Sequence, residues 1–174
     1  MIVKKQLIPD YADGWRFTEK ILEENRNHYK NEVAILDYLT KYVTLKSLSP
    51  HFITLYGHLE CGENYFLLAE EASGTVSSLY STNLQNDIRS IISQMFVSLF
   101  MFHKYTKCYH NDTHAENFLY MKTNKKIMLK YKYKNQNCYI NADKYIINLW
   151  DFGLASNIYD DYIIIPKQYI ITMI

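Results

Sequence analysis

The stretch "YHNDTHAENFLY", Tyr109 to Tyr120, sets an Asp, an Asn and two His within a dozen residues. Further on, "LWDFGLAS", Leu149 to Ser156, places a second Asp before a Phe-Gly turn. Asp112, Asn117 and Asp151 each stand at the end of an apolar run, and three explanations compete for them. Asp and Asn are common turn and cap residues, which is the plainest of the three. A zinc site on His110 and His114 would use two ligands four residues apart on a helix face. Position 111 is Asn where such helices carry Glu, however, and no third ligand is evident. The third is phosphoryl transfer, which needs a carboxylate to orient the attacking hydroxyl and oxygen ligands to hold magnesium against phosphates.

The bulk properties leave all three open. With 174 residues, the chain is long enough for one domain with a sizeable core. A hydrophobic fraction of 48% and a charged fraction of 21% belong to a globular protein rather than a disordered one. The net charge of +1 gives no global sign of a nucleic-acid or membrane partner, and neither is expected. Cys61, Cys108 and Cys138 are odd in number and far apart, so they read as buried free thiols of a reducing compartment. "MIVKKQLIPD" is a poor signal peptide, and no window approaches the ~18 apolar residues of a membrane span. An intracellular, cytoplasmic location is the expectation.

Along the chain, "IVKKQLI", Ile2 to Ile8, is a β-prone run stopped by Pro9-Asp10. Helix formers follow, with Thr18 as candidate N-cap, and Tyr29, Val33, Leu36, Thr40 and Val43 recur at helical spacing. "FITLYGHLECGENYFLLAEE" predicts a hairpin: Phe52 to Leu59, a turn at Gly62-Glu63-Asn64, then Tyr65 to Ala69. The Ser73-Gly74 stretch is the best internal boundary. Asn86 to Lys104 predicts the strongest helix, almost without a polar face in its second half. "MKTNKKIMLKYKYKNQNCYI" predicts a hairpin insertion whose basic, aromatic-dotted face reads as solvated rather than as a nucleic-acid surface.

Asp112 and Asn117 are five apart, the separation in the His-x-Asp-x-x-x-x-Asn catalytic loop of kinases, and Asp151 begins Asp-Phe-Gly after the β-prone "YIINLW". Each motif alone is short; together, in this order and context, they favour phosphoryl transfer over turns or zinc. On these motifs the chain resembles the protein kinase superfamily. "QMFVSLFMFHKYTKCYHND" resembles the long helix and turn that lead into that loop. "YFLLAEEASGTVSSL" resembles the last N-lobe strand and hinge, with Ala69 as gatekeeper and Glu70-Glu71 in the hinge that contacts ATP. "YKNEVAILDYL" resembles the αC helix with Glu32 as its pairing glutamate, and "IVKKQ" the strand whose ATP-contacting lysine would be Lys4. The Lys/Tyr-rich insert also resembles that of kinase-like proteins of large DNA viruses, which would make the compartment host cytoplasm.

The resemblance implies an α+β, protein-kinase-like two-lobe fold. Residues 1–72 would supply a reduced N-lobe and hinge, and 73–174 an incomplete C-lobe. It implies ATP and Mg2+ as cofactors, Asp112 as the catalytic residue, Asn117 and Asp151 as metal ligands, and a Lys4–Glu32 ion pair on the phosphates. The implied activity is phosphoryl transfer to a Ser/Thr hydroxyl of a protein. His110 reads as a buried packing residue under the loop.

Three departures qualify this. None of the five glycines forms a G-x-G-x-x-G, and the lysine strand opens the sequence, so a glycine-rich lid over the phosphates is expected to be missing. Only 21 residues follow Gly153, without Ala-Pro-Glu, so the helix 86–104 and the Ile-rich tail should expose an apolar patch. Asn111 replaces the arginine of His-Arg-Asp, so control by loop phosphorylation is not expected. His114 replaces a lysine of Ser/Thr kinases. The alternatives are therefore an inactive pseudokinase remnant acting as a binding module, and a small-molecule phosphotransferase.

Overall fold

The apolar periodicities translate into an α+β fold. The computed structural model describes residues 2–6, 19–62, 64–79 and 87–157. Thr18, Glu63 and the Ile-rich tail, on which parts of the sequence reading rest, lie outside the described residues.

β1 (Ile2–Gln6) pairs antiparallel with β3 (Asn64–Ala69), which also pairs with β2 (Leu55–Cys61), giving a three-stranded sheet in the order β1-β3-β2. β3 alternates as a half-buried strand should, with Tyr65, Leu67 and Ala69 inward. Against this sheet lies α1 (Glu19–Leu39). Tyr29 and Leu36 of its predicted stripe are fully buried, and the Tyr29 ring stacks on Tyr65 at 4.5 Å. The helix then widens into a π-turn, Thr40–Thr44. There the Thr40 hydroxyl accepts the Leu55 N–H at 2.9 Å, which ties the helix end to the start of β2.

The predicted first hairpin strand, Phe52 to Leu59, is shifted: β2 runs from Leu55 to Cys61. Phe52 instead forms an isolated parallel bridge with Leu149. Buried Phe52 thus serves the join between the halves of the chain rather than the first sheet. No single strand can satisfy both partners, and the irregular register between Leu55 and Gly57 marks where the chain turns from one to the other.

A second sheet holds β4 (Gly74–Thr75), β6 (Phe118–Lys122) and β9 (Tyr145–Leu149) in the order β4-β6-β9. Gly74 sits at φ 155°, and a Cβ there would lie 3.0 Å from Cε1 of Tyr120, so only glycine suits this close approach. The boundary foreseen at Ser73-Gly74 is therefore also a strand pairing. A short helix, α2 (Val76–Leu79), follows.

α3 (Ile88–Thr106) packs on β9. The sequence reading made it apolar all round, yet it buries Gln94 and Ser98 and exposes Ile92, Phe96 and Phe100 at 45%, 70% and 44%. Gln94 explains the inversion. Its amide donates to Tyr145 O at 3.0 Å and accepts from Ile147 N at 3.1 Å, so it completes the open edge of β9 much as another strand would. The apolar patch expected on this helix is present as that exposed stripe. The predicted insertion is a hairpin of β7 (Met128–Tyr133) and β8 (Gln136–Asn141). Of the three thiols expected to be buried, Cys108 is, whereas Cys61 and Cys138 sit exposed on the outer strands β2 and β8. One cluster of buried side chains runs from Tyr29, Leu36 and Leu67 to Phe102, Phe118 and Phe152, spanning residues on both sides of the boundary at 72 and 73.

Candidate functional site

α3 ends at Thr106, where Lys107 adopts the left-handed conformation at φ 59° and returns its N–H to His103 O. The reversal feeds β5 (Cys108–Tyr109), which pairs with β10 (Ser156–Asn157) in the register Ser156↔Tyr109. The opening motif and the segment after Gly153 thus lie side by side.

His110 is the joint between them. It is buried; its Nε2 lies 2.8 Å from Trp150 O, and its Nδ1 faces the Asp112 N–H at 3.3 Å. With the carbonyl accepting from Nε2–H, the ring is neutral and Nδ1 is the acceptor. Burial holds its pKa below the usual histidine value, opposed by the Trp150 carbonyl and by the Asp151 and Asp112 carboxylates. Both carboxylates therefore act on the same imidazole. Phe152 is fully buried against this corner, 5.4 Å from the His110 ring and stacked at 5.0 Å on Phe102. The packing role expected of His110 agrees with this position.

Asp112 is partly exposed, its side chain at 37%. The Asn117 amide donates to both Asp112 O and Asp112 Oδ2, each at 2.9 Å. The five-residue separation thus closes into a loop whose ends are hydrogen-bonded, with a 3-10 turn, Ala115–Asn117, completing it. Since its Nδ2 is used by Asp112, the Asn117 side-chain oxygen faces elsewhere as an acceptor. Asn117 O also accepts the Trp150 N–H at 2.9 Å, which brings the residue before Asp151 onto the loop. His114 Nε2 lies 3.5 Å from Asp112 Oδ1.

Asp151 and Asn111 both hold positive φ, 61° and 63°, a conformation that Asn and Asp tolerate and bulkier residues resist. Two such residues flanking one corner are the mark of a constrained site. Asn111 donates to Leu154 O at 3.1 Å and Ser156 Oγ at 2.7 Å, and Asn31 of α1 reaches Ala155 O at 2.9 Å. Asn111, in the place of the arginine of a His-Arg-Asp motif, thus holds the segment after Gly153 directly through a neutral amide. Asn31 was not foreseen, because a lone Asn within a helix carries no sequence signal beyond its modest propensity.

The remaining expected residues lie on the first sheet, on α1 and in the segment after β3. Lys4 lies mid-strand in β1, opposite Leu67. Glu32 is fully buried on α1, one residue from Asn31. Glu70 turns back to the first sheet, accepting from Thr54 N and Oγ1 at 3.3 and 3.0 Å, while Glu71 is exposed. The geometry joins Asp112, Asn117 and the Asp151 turn; it gives Glu70 a structural bond.

Magnesium takes hard oxygen donors, and two carboxylates with a carboxamide oxygen fit that chemistry, whereas zinc prefers nitrogen and sulfur. Among the described residues, no three His, Cys, Asp or Glu side chains gather as a metal-binding group, so the His110–His114 pair has no third ligand there. Among the same residues, no helix is long and apolar enough to cross a membrane. Compared with known proteins, the chain matches no family model and no curated sequence.

Proposed function

We propose that the chain is a protein-kinase-like, two-lobe phosphotransferase that moves the terminal phosphoryl group of ATP to a Ser/Thr hydroxyl of a protein. The observation that carries this reading is the double use of Asn117. Its amide fixes the Asp112 carboxylate, and its backbone carbonyl holds the strand end that presents Asp151. In this reading Asp112 accepts or orients the proton of the attacking hydroxyl. Asn117 keeps that carboxylate in one rotamer, which is positioning rather than proton transfer. Asn117 and Asp151 would hold magnesium, which supplies positive charge against the phosphates. Lys4 and Glu32 would grip the nucleotide from the first sheet and α1, and the backbone at Glu70 and Glu71 would line the adenine side. The neutral His110 keeps the two acidic segments together without adding a charge.

The test is transfer of labelled phosphate from ATP and magnesium to a mixed Ser/Thr protein substrate. Transfer that falls at least ~100-fold in Asp112→Asn is expected, the usual effect of removing a general base. Transfer unchanged by that substitution would contradict the assignment. Phosphate appearing only on small alcohols or aminosugars would move the chain to a small-molecule phosphotransferase.

A second reading has its own observation. The exposed stripe of Ile92, Phe96 and Phe100 is of the kind that marks partner surfaces. A catalytically silent remnant using that stripe for binding would give no transfer with any acceptor.

A further inference from the structure

The net charge of +1 conceals an uneven partition. From Lys122 to Lys144 there are seven lysines and one acid, Asp143, a local charge of +6, which leaves −5 for the rest of the chain. The positive charge is thus concentrated in one stretch of 23 residues, Lys122 to Lys144.

The hairpin determines where that charge lies. Its register sets Met128 opposite Asn141, Lys130 opposite Tyr139, and Lys132 opposite Asn137. Paired residues share a face and alternate residues repeat it, so these six form one side of the ribbon, and all six are exposed. The reverse side is anchored. Ile140 is buried, the Tyr131 hydroxyl bonds His51 Nε2, and the Ser90 hydroxyl bonds Asn141 O. The outward face is therefore held in place rather than left to sway, which lowers the ordering cost of binding. Among the described residues, no carboxylate pairs with Lys122, Lys125, Lys126, Lys130 or Lys132. Lys144, at the foot of the ribbon, does pair with Asp87. The Lys130 ammonium lies 5.9 Å from the centre of the Tyr139 ring, and Tyr139 remains 57% exposed.

We propose that, against the expectation drawn from the net charge, the outward face of the β7–β8 ribbon, with Lys130, Lys132 and Tyr139 at its centre, docks a single strand of nucleic acid. Several features favour this over an acidic peptide. All the cations of the stretch are lysines, point charges suited to phosphate, while carboxylate recognition favours the arginine fork. Alternate residues of a strand stand ~6.7 Å apart. That spacing lets Lys130 and Lys132 meet two separate phosphates of one strand, each as a point charge. The Tyr139 ring offers a stacking platform, the Asn137 amide can donate to and accept from base edges, and the Asn141 amide, whose oxygen accepts the Asp143 N–H at 3.0 Å, can donate. Beside Tyr139, a cleft of about 370 Å³ opens between the ribbon and the start of α3, bordered by Arg89 and Lys144 as well as Asp87 and Asp143. It has room for one unstacked base. β9, five residues or roughly 17 Å long, separates this surface from the Asp151 corner, so the proposal stands whether or not the chain transfers phosphate.

Fluorescence anisotropy of a labelled oligouridylate with the full chain tests it, across a salt series. Binding that weakens with salt is expected, the slope falling by about 0.7 for each of Lys130→Gln and Lys132→Gln. Tyr139→Ser should lower affinity roughly tenfold or more at unchanged slope, the loss of one stacked base. All three positions are exposed, and an unchanged thermal melt will confirm that the variants fold. No binding at low salt would overturn the proposal. So would equally tight binding of polyglutamate, of phosphatidylserine vesicles, or of an RNA duplex.

Discussion

Two buried histidines perform the same task in different surroundings. His110 joins the loop of Asp112 to the Asp151 turn, and His51 joins the β7–β8 ribbon to β9. Each sets one ring nitrogen against a backbone carbonyl of the β9 segment, Trp150 O at 2.8 Å for His110 and Ile147 O at 2.6 Å for His51. Each accepts with the other nitrogen, from the Asp112 N–H and from the Tyr131 hydroxyl respectively. A neutral imidazole is well suited to this, because it is the side chain that can donate at one end and accept at the other across a dry interior. The difference lies in the charges nearby. His110 has two carboxylates close by that favour its protonation and oppose the effect of burial. His51 is fully buried with only the Ile147 carbonyl to offset desolvation, and its pKa falls to about 4. The same device thus keeps an acidic corner together just past the end of β9 and holds a basic ribbon in place at Ile147, in the middle of the strand.

The comparison can be broken most severely at the His110 corner. Phe152→Ala removes the ring that fills the space between Phe102 and His110, and should cost about 3–5 kcal/mol of unfolding free energy by urea titration. A loss below ~1 kcal/mol would mean that the corner is not packed as described. Acid should sharpen the contrast. The unfolded chain takes up a proton at His51 from about pH 6.5 downward, whereas the folded chain resists until about pH 4. Stability is therefore fully present above pH 6.5 and falls as pH drops to 4, by on the order of 3 kcal/mol. Burial lowers His110 in the same direction. His51→Gln should flatten most of that decline, and an unchanged pH profile in this variant would refute the latch at the ribbon. The smallest expected effect is Tyr131→Phe, which deletes one hydroxyl and leaves His51 Nε2 without its donor. About 1–2 kcal/mol is expected, with faster amide exchange in β7 and β8 than at Asp112 and Asn117.

What could be read from the sequence follows the range of the forces involved. Local patterns were visible: the stripe of α1, the hairpin strand at Tyr65–Ala69, the basic hairpin and the five-residue separation of Asp112 and Asn117. The last was legible because Asn117 bonds within its own loop. What escaped were pairings between distant segments. Nothing in "PHFITLY" announces that Phe52 will bridge to Leu149, or that His51 will face Tyr131 across eighty positions. On α3 an exposed apolar side was expected, but the burial of Gln94 was not: the edge of β9 needed hydrogen bonds, and Gln94 faces inward to supply them. An unsatisfied backbone edge costs more than an exposed ring. At the candidate site, the residues are legible but their convergence is not. Asn31 and the Trp150–Asn117 backbone bond appear only once the chain is folded.

The central claim is that Asp112, Asn117 and Asp151 converge on magnesium and a nucleotide. Thermal unfolding of the full chain titrated with ATP and magnesium tests it most directly. The account predicts a rise in melting temperature that grows with the logarithm of nucleotide concentration, requires the metal, and disappears in Asp151→Asn. No rise at millimolar ATP with magnesium, or an equal rise in the Asp151 variant, would contradict it.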